Sequence, residues 1–183
     1  RMGHFAGPVR LAEKELAVRY GSGKTIFLEH LSDLFAVGVA SDWIMRILQH
    51  ANEWPDNTYL IQTKNPMRAV ECWLELLPPR CMFGTTLESN RQHEAMKHCP
   101  PPSERLSAML QMRTLAPSVQ RFITVEPILA FDLDVMLPGI TGVDPAWVAI
   151  GADSKGHGLP EPTAAEVRLL VVGLQLAHVN VRL

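Results

Sequence analysis

Six short apolar segments punctuate the chain, and each runs into a small polar cluster at its C-terminal end. Residues 26–31 lead into Ser32 and Asp33, 59–61 into Gln62, Thr63 and Lys64, and 82–84 into Thr85, Thr86, Leu87 and Glu88. Residues 121–123 lead into Thr124, Val125 and Glu126, 147–150 into Gly151, Ala152, Asp153 and Ser154, and residues 178–182 close the series. Helix-like stretches separate most of them. Repeated strand–helix units with polar residues at one end of the strands are how a β/α barrel assembles a site. The pattern predicts an α/β fold: a partial, TIM-like β/α barrel of about six parallel strands with outer helices.

Length supports a partial barrel rather than a full one. At 183 residues the chain suffices for one domain with a real core, yet falls short of the roughly 250 residues of eight units. We read residues 1–183 as one β/α domain, with an N-terminal helix and turn over 1–23 and strand–helix units over 24–183. Both ends read as cut, since Arg1 precedes Met2 and Leu183 falls inside an expected strand. The net charge of −2 with scattered Lys and Arg gives no clear nucleic-acid signal. No apolar run approaches a membrane span. Cys72, Cys81 and Cys99 are odd in number and irregularly spaced, which fits reduced thiols in a cytoplasmic protein.

Element by element, a short helix is expected over residues 11–20, closed by Gly21-Ser22-Gly23. Ser41 is expected to cap a helix whose Trp43, Ile44, Ile47, Leu48 and Ala51 share one face. Asn65-Pro66 reads as N-cap and first helical position, followed by a stripe of Met67, Val70, Leu74 and Leu77. Residues 90–98 are expected to be helical. Ser103 is expected to open a helix carrying Leu106, Met109, Leu110 and Arg113. Residues 132–145 show no period and read as loop, and 156–162 as a flexible loop. Thr163 and Glu166 form a capping box for the last helix, whose Val167, Leu170, Val171 and Leu174 face the core.

Two local motifs read as turns or surface. Gly21-Ser22-Gly23-Lys24-Thr25 matches the tail of a phosphate-binding loop, but the full pattern needs a glycine where Val18 stands and a helix directly after Thr25. His93 and His98 lie five apart on the expected helix, so their side chains diverge by about 140° instead of sharing a metal. His30 is expected to be packed within its strand. No metal ligands are assigned.

The strand-end charges form a set. Asp33, Lys64, Glu88, Glu126 and Asp153 come from five separate units, which a barrel gathers on one face. One ammonium among several carboxylates suits a zwitterionic ligand, or acid–base groups tuned by their neighbours. An alternative on the same residues is an aldolase or lyase in which Lys64 forms a Schiff base and Glu88 or Glu126 moves protons. A further alternative is a non-catalytic binding module.

At these same strand ends the chain resembles a known family. Asp33-Leu34-Phe35, Thr63-Lys64-Asn65-Pro66, Glu88-Ser89-Asn90, Val125-Glu126-Pro127-Ile128-Leu129 and Gly151-Ala152-Asp153-Ser154 fall in the order and spacing of a phage-associated, radical-SAM-like family of conserved proteins of unknown function. The resemblance implies a partial barrel binding S-adenosylmethionine (AdoMet) as a small-molecule cosubstrate beside a 4Fe–4S cluster, with an unknown substrate and room for a partner protein. By position it gives Ser32 and Asp33 the methionyl amino group, and Thr86, Glu88, Thr124 and Glu126 the ribose and substrate side. Asp153 joins the cofactor-binding set, and Lys64 meets a carboxylate or phosphate. Lys64, Glu88 and Glu126 are the residues to which it would assign chemistry. The departure is the cluster: none of the three cysteines fits the C-x-x-x-C-x-x-C spacing whose thiolates hold it.

Overall fold

The computed structural model describes residues 9–28, 32–96, 98–154 and 156–183. Six strands form one sheet: β1 (Thr25–Leu28), β2 (Thr58–Thr63), β3 (Cys81–Thr86), β4 (Gln120–Val125), β5 (Trp147–Ile150) and β6 (Val181–Arg182). They pair in chain order, and every pairing is parallel. Five helices alternate with them: α1 (Ser41–Asn52), α2 (Pro66–Cys72), α3 (Pro102–Leu115), α4 (Leu133–Val143) and α5 (Ala164–Leu176). Consecutive helices α2 to α5 pack on one another. A parallel sheet in chain order with its helices side by side is an open segment of a β/α barrel, as the sequence predicts.

The register divides each strand into two faces. Tyr59, Ile61 and Thr63 pair with Cys81, Phe83 and Thr85, and all six are buried. On β4 and β5 the same face carries Ile123, Val125, Val148 and Ile150, which belong with Leu48, Met109, Met136, Ile140, Leu170 and Leu174 to the buried core. The opposite, inner face carries Gln62, Gly84, Phe122 and Trp147 in one row and Thr86, Thr124, Ala149 and Arg182 in the next. Phe122 stacks on Trp147 with ring centroids 4.3 Å apart and planes 15° from parallel. The Arg182 guanidinium lies 4.4 Å from the Trp147 ring, a cation–π contact. A glycine at position 84 makes this row possible, because a Cβ there would stand 2.3 Å from the Phe122 ring.

Several elements depart from the sequence reading. The segment before the first turn forms only a 3₁₀ helix, Glu13–Ala17. Ser41 is the first residue of α1 rather than its cap, which is Ala40. Strand β1 ends at Leu28, and residues 29–31, including His30, lie outside the described residues. Helix α2 stops at Cys72, so Leu74 sits in a following 3₁₀ turn, Leu74–Leu76. The final strand is confined to Val181–Arg182.

Three differences have clear physical causes. The expected helix over residues 90–98 is only a 3₁₀ turn, Glu94–Met96, because the stretch before it is tied to the loop after β4. Asn90 donates to Asp132 at 3.0 Å and accepts its backbone N–H at 2.7 Å, while the Arg91 guanidinium pairs with the Asp132 carboxylate. Helix α3 begins at Pro102, and it buries Arg105, Ala108, Met109 and Met112 while Leu110 stays exposed. A charged residue on the core stripe shifts the apparent phase of the hydrophobic pattern. The stretch expected as loop over 132–145 is helix α4, with Met136, Ile140 and Val143 buried at helical spacing. Pro138 and its glycines read as breakers. Gly139 instead gives α3 room, since a Cβ there would come within 2.9 Å of Leu106.

Other readings hold. Gly21 and Gly23 have φ of 72° and 73°, and strand β1 rather than a helix follows them. Asn57 ties this turn down, accepting the Lys24 N–H at 2.9 Å and donating to the Gly21 carbonyl at 2.9 Å. Pro66 opens α2 after Asn65, and Thr163 with Glu166 caps α5 in both directions. Among the described residues no helix is long and apolar enough to cross a membrane.

The Gly84 contact generates a prediction. Gly84→Ala must displace the Phe122 ring from its place over β3, and overpacking of this kind costs about 1–3 kcal/mol. Urea unfolding should show that loss, with altered Trp147 fluorescence in the folded state. A variant as stable as wild type would show that the Phe122–Trp147 row adjusts freely.

Candidate functional site

The C-terminal ends of the strands carry a polar floor and a charged rim. The floor's two hydroxyls lie one row above the Phe122–Trp147 stack, and Gln62 reaches up to them from the row of that stack. Gln62 on β2 donates one amide hydrogen to Thr86 Oγ1 at 2.8 Å and the other to Thr124 Oγ1 at 2.7 Å. Thr86 and Thr124 are register partners on β3 and β4, and their hydroxyls are 3.2 Å apart. Both threonines are buried. Three strands thus contribute one polar group each to a single network at the centre of the inner face.

The rim begins with Asp33. Its Oδ1 accepts the Thr63 hydroxyl at 2.6 Å and the Phe35 N–H at 3.0 Å, and its Oδ2 accepts the Lys64 N–H at 2.8 Å. Asp33 is therefore a clamp between the loop after β1 and the end of β2. With three of roughly four acceptor positions filled, it has little capacity left for a ligand. Ser32 beside it is exposed.

Lys64 and Glu88 form the centre of the rim. Lys64 Nζ lies 2.5 Å from Glu88 Oε1, and Glu88 Oε2 lies 2.7 Å from Arg105 Nη1. The Glu88 side chain is 4% exposed and that of Arg105 0%. Arg105 also donates to the Pro100 carbonyl at 2.6 Å and the Thr86 carbonyl at 3.0 Å. Its Nη2 is buried without a protein partner among the described residues. Burial pushes the Glu88 carboxyl up, but the Lys64 ammonium and the Arg105 guanidinium outweigh it and hold the group below the usual carboxylate range. Glu88 is therefore an anion between two cations, and Lys64 is committed to that pair.

Glu126 and Asp153 occupy the other side. Glu126 is exposed, with no side-chain hydrogen bond among the described residues. Its side chain lies beside the backbone just after β5, where a Cβ on Gly151 would come within 2.9 Å of the Glu126 Cδ. Asp153 is bound within its own loop: its Oδ1 lies 2.8 Å from His157 Nδ1 and its Oδ2 accepts the His157 N–H at 2.5 Å. So the expected gathering of five charges resolves into parts. Lys64 and Glu88 are joined directly, Asp33 holds the Lys64 backbone N–H, Glu126 stands apart at the end of β4, and Asp153 faces His157.

Sequence reasoning missed Arg105, His157 and the central part of Gln62. Arg105 left a signal, an arginine in register with Ala108, Met109 and Met112 at helical spacing. His157 left a weaker one, four residues after Asp153.

No cluster site is formed by the cysteines. Cys72 is exposed at the end of α2, and Cys81 is buried at the start of β3, where burial pushes its thiol up to about 12. Cys99 is half-buried ahead of α3. Cys81 thus starts a strand, at the opposite end from the polar floor, and a 4Fe–4S cluster requires several thiolates together. Among the described residues no group of three or more His, Cys, Asp or Glu could hold a metal ion. The residues present do not fit a cluster.

A family model described as "Protein of unknown function (DUF5131)" matches residues 4–163. The chain belongs to this family. No curated protein matches it. Among solved structures it is similar to a spore photoproduct lyase double mutant with bound AdoMet and dinucleoside spore photoproduct, at 13% sequence identity and a TM-score of 0.50. The alignment covers 90% of this chain and 49% of the lyase, so the chain spans about half the length of that enzyme. At this identity the likeness concerns the fold alone, the parallel β/α arrangement described above.

The buried triad generates the next prediction. Glu88→Gln leaves the Arg105 charge buried and uncompensated, a loss of about 3–5 kcal/mol. Its pH dependence has a definite sign. A carboxylate held low in the folded chain contributes stability that is fully present above the ordinary glutamate value of about 4.3 and is lost as pH falls toward the folded-state value. Urea unfolding across this acid range should show wild type losing stability more steeply than Glu88→Gln. Parallel curves would mean that the pair with Lys64 and Arg105 gives Glu88 no net stabilisation.

Proposed function

We propose that the chain is the barrel portion of a radical-SAM-like enzyme of the phage-associated type its ordered motifs resemble, and that it binds AdoMet at the C-terminal ends of its strands. The observation that carries this reading is the Gln62–Thr86–Thr124 network. It brings three polar side chains together at the centre of the inner face, next to the Phe122–Trp147 stack. The likeness of the fold to an enzyme with bound AdoMet supports the same assignment.

In this reading Thr86 and Thr124, oriented by Gln62, line the ribose side of the ligand. Ser32 takes the methionyl ammonium together with the remaining acceptor position of Asp33. Lys64, Glu88 and the exposed Glu126 form the rim facing the substrate, with Asp153 beyond it. Bound there, AdoMet would supply an electrophilic sulfonium centre. The cluster ligands are not among the described residues, so the reading stops at AdoMet binding, with the substrate left as an unspecified small molecule.

Calorimetric titration of the chain with AdoMet tests it. Saturable binding is expected, weakened about fivefold in Thr124→Val, the worth of one hydrogen bond near 1 kcal/mol. Glu13→Gln, at an exposed ion pair with Arg46 on α1, should leave affinity unchanged. Absence of binding, or equal affinity in wild type and Thr124→Val, would overturn the proposal.

A further inference from the structure

The loop after β5 holds a carboxylate–imidazole pair more tightly than a surface loop requires. Both oxygens of Asp153 are bonded to one residue: Oδ1 to His157 Nδ1 at 2.8 Å and Oδ2 to the His157 backbone N–H at 2.5 Å. The backbone of Asp153 is fixed in turn, its N–H donating to Glu161 Oε1 at 2.6 Å and its carbonyl accepting the Gly156 N–H at 3.0 Å. The Asp153 side chain is 7% exposed and that of His157 is 24% exposed. The carboxylate is thus packed away and the imidazole keeps one open edge.

The chemistry of that edge follows from hydrogen-bond accounting. A carboxylate only accepts, so the ring nitrogen facing it must carry the hydrogen. In the neutral ring Nε2 then bears the lone pair, and it has no protein partner among the described residues. When Nε2 takes a proton, the imidazolium forms against a carboxylate already in place to stabilise it. Glu126, from the end of β4, packs its side chain beside Gly151, two residues before Asp153.

We propose that His157 is a proton acceptor at the C-terminal face of the sheet, with Asp153 as its positioning residue. A ligand O–H or N–H gives its proton to Nε2, leaving the ligand anionic or neutral and the ring as imidazolium, with Nδ1–H kept on Asp153. This assigns Asp153 to the imidazole rather than to AdoMet. It goes beyond the AdoMet reading and stands without it.

Carbethoxylation by diethylpyrocarbonate, followed residue by residue by mass spectrometry in the ligand-free chain, tests the proposal. His98 and His178 are both exposed and serve as internal references. His157 is expected to react several-fold faster than either despite the partial burial of its side chain. Asp153→Asn should bring that rate down to the level of the references. A wild-type His157 that reacts no faster than His98 or His178 overturns the proposal, and that comparison needs no variant to fold. An unchanged rate in a folded Asp153→Asn overturns the role of Asp153. Because no AdoMet is present, neither result depends on whether the chain binds it.

Discussion

Arg105 sits on the core face of α3 with no exposed surface, and a guanidinium in that position stands only if an anion meets it. Glu88, two residues beyond the end of β3, is that anion. The bond between them fixes α3 against the strand it follows and sets where the chain leaves the sheet. Arg105 also holds the Thr86 carbonyl, so the same side chain steadies the floor of the site. Glu88 has a second oxygen, and Lys64 from the neighbouring strand occupies it. A demand created in the core is thus answered at the strand ends, and the answer places a charged group at the mouth of the inner face.

Below that rim the inner face is layered by side-chain size. Gly84 leaves a gap on β3, and Phe122 on β4 fills it and stacks on Trp147 of β5. Above this row the side chains become short and polar, and Gln62 spans β3 with the reach its absent neighbour allows. The change from aromatic to hydroxyl across one step of the strands separates a packed lower part from a polar upper part. Replacing either layer by the other would leave polar groups without partners or open a void.

The order of strands and helices was legible because each unit repeats the same contrast, apolar strand then polar end. Asn65-Pro66 and the Thr163–Glu166 box were legible because their signals are local. The misread segments are those where a distant contact decides. Helix α4 contains Pro138 and Gly139, and only the nearness of Leu106 shows why a small residue belongs there. Residues 90 and 91 have side chains that reach Asp132, some 40 positions away, which no local pattern displays. The site was legible as a list of strand-end charges, but its pairing was not. Asp33 spends its carboxylate on the fold, and Arg105, a residue of the core stripe, joins Lys64 in holding Glu88 as an anion.

Strand pairing in chain order has a consequence for how the chain reaches this structure. Each strand meets the strand that follows it, so every ladder closes a single crossover and none waits for a distant segment to arrive. The entropy of closing such loops grows slowly with their length, and each new ladder builds on an edge already formed. Topologies in which contacts stay near the diagonal of the sequence assemble faster than those that interleave remote strands. The architecture that gathers five loops at one face is therefore also one that can grow unit by unit.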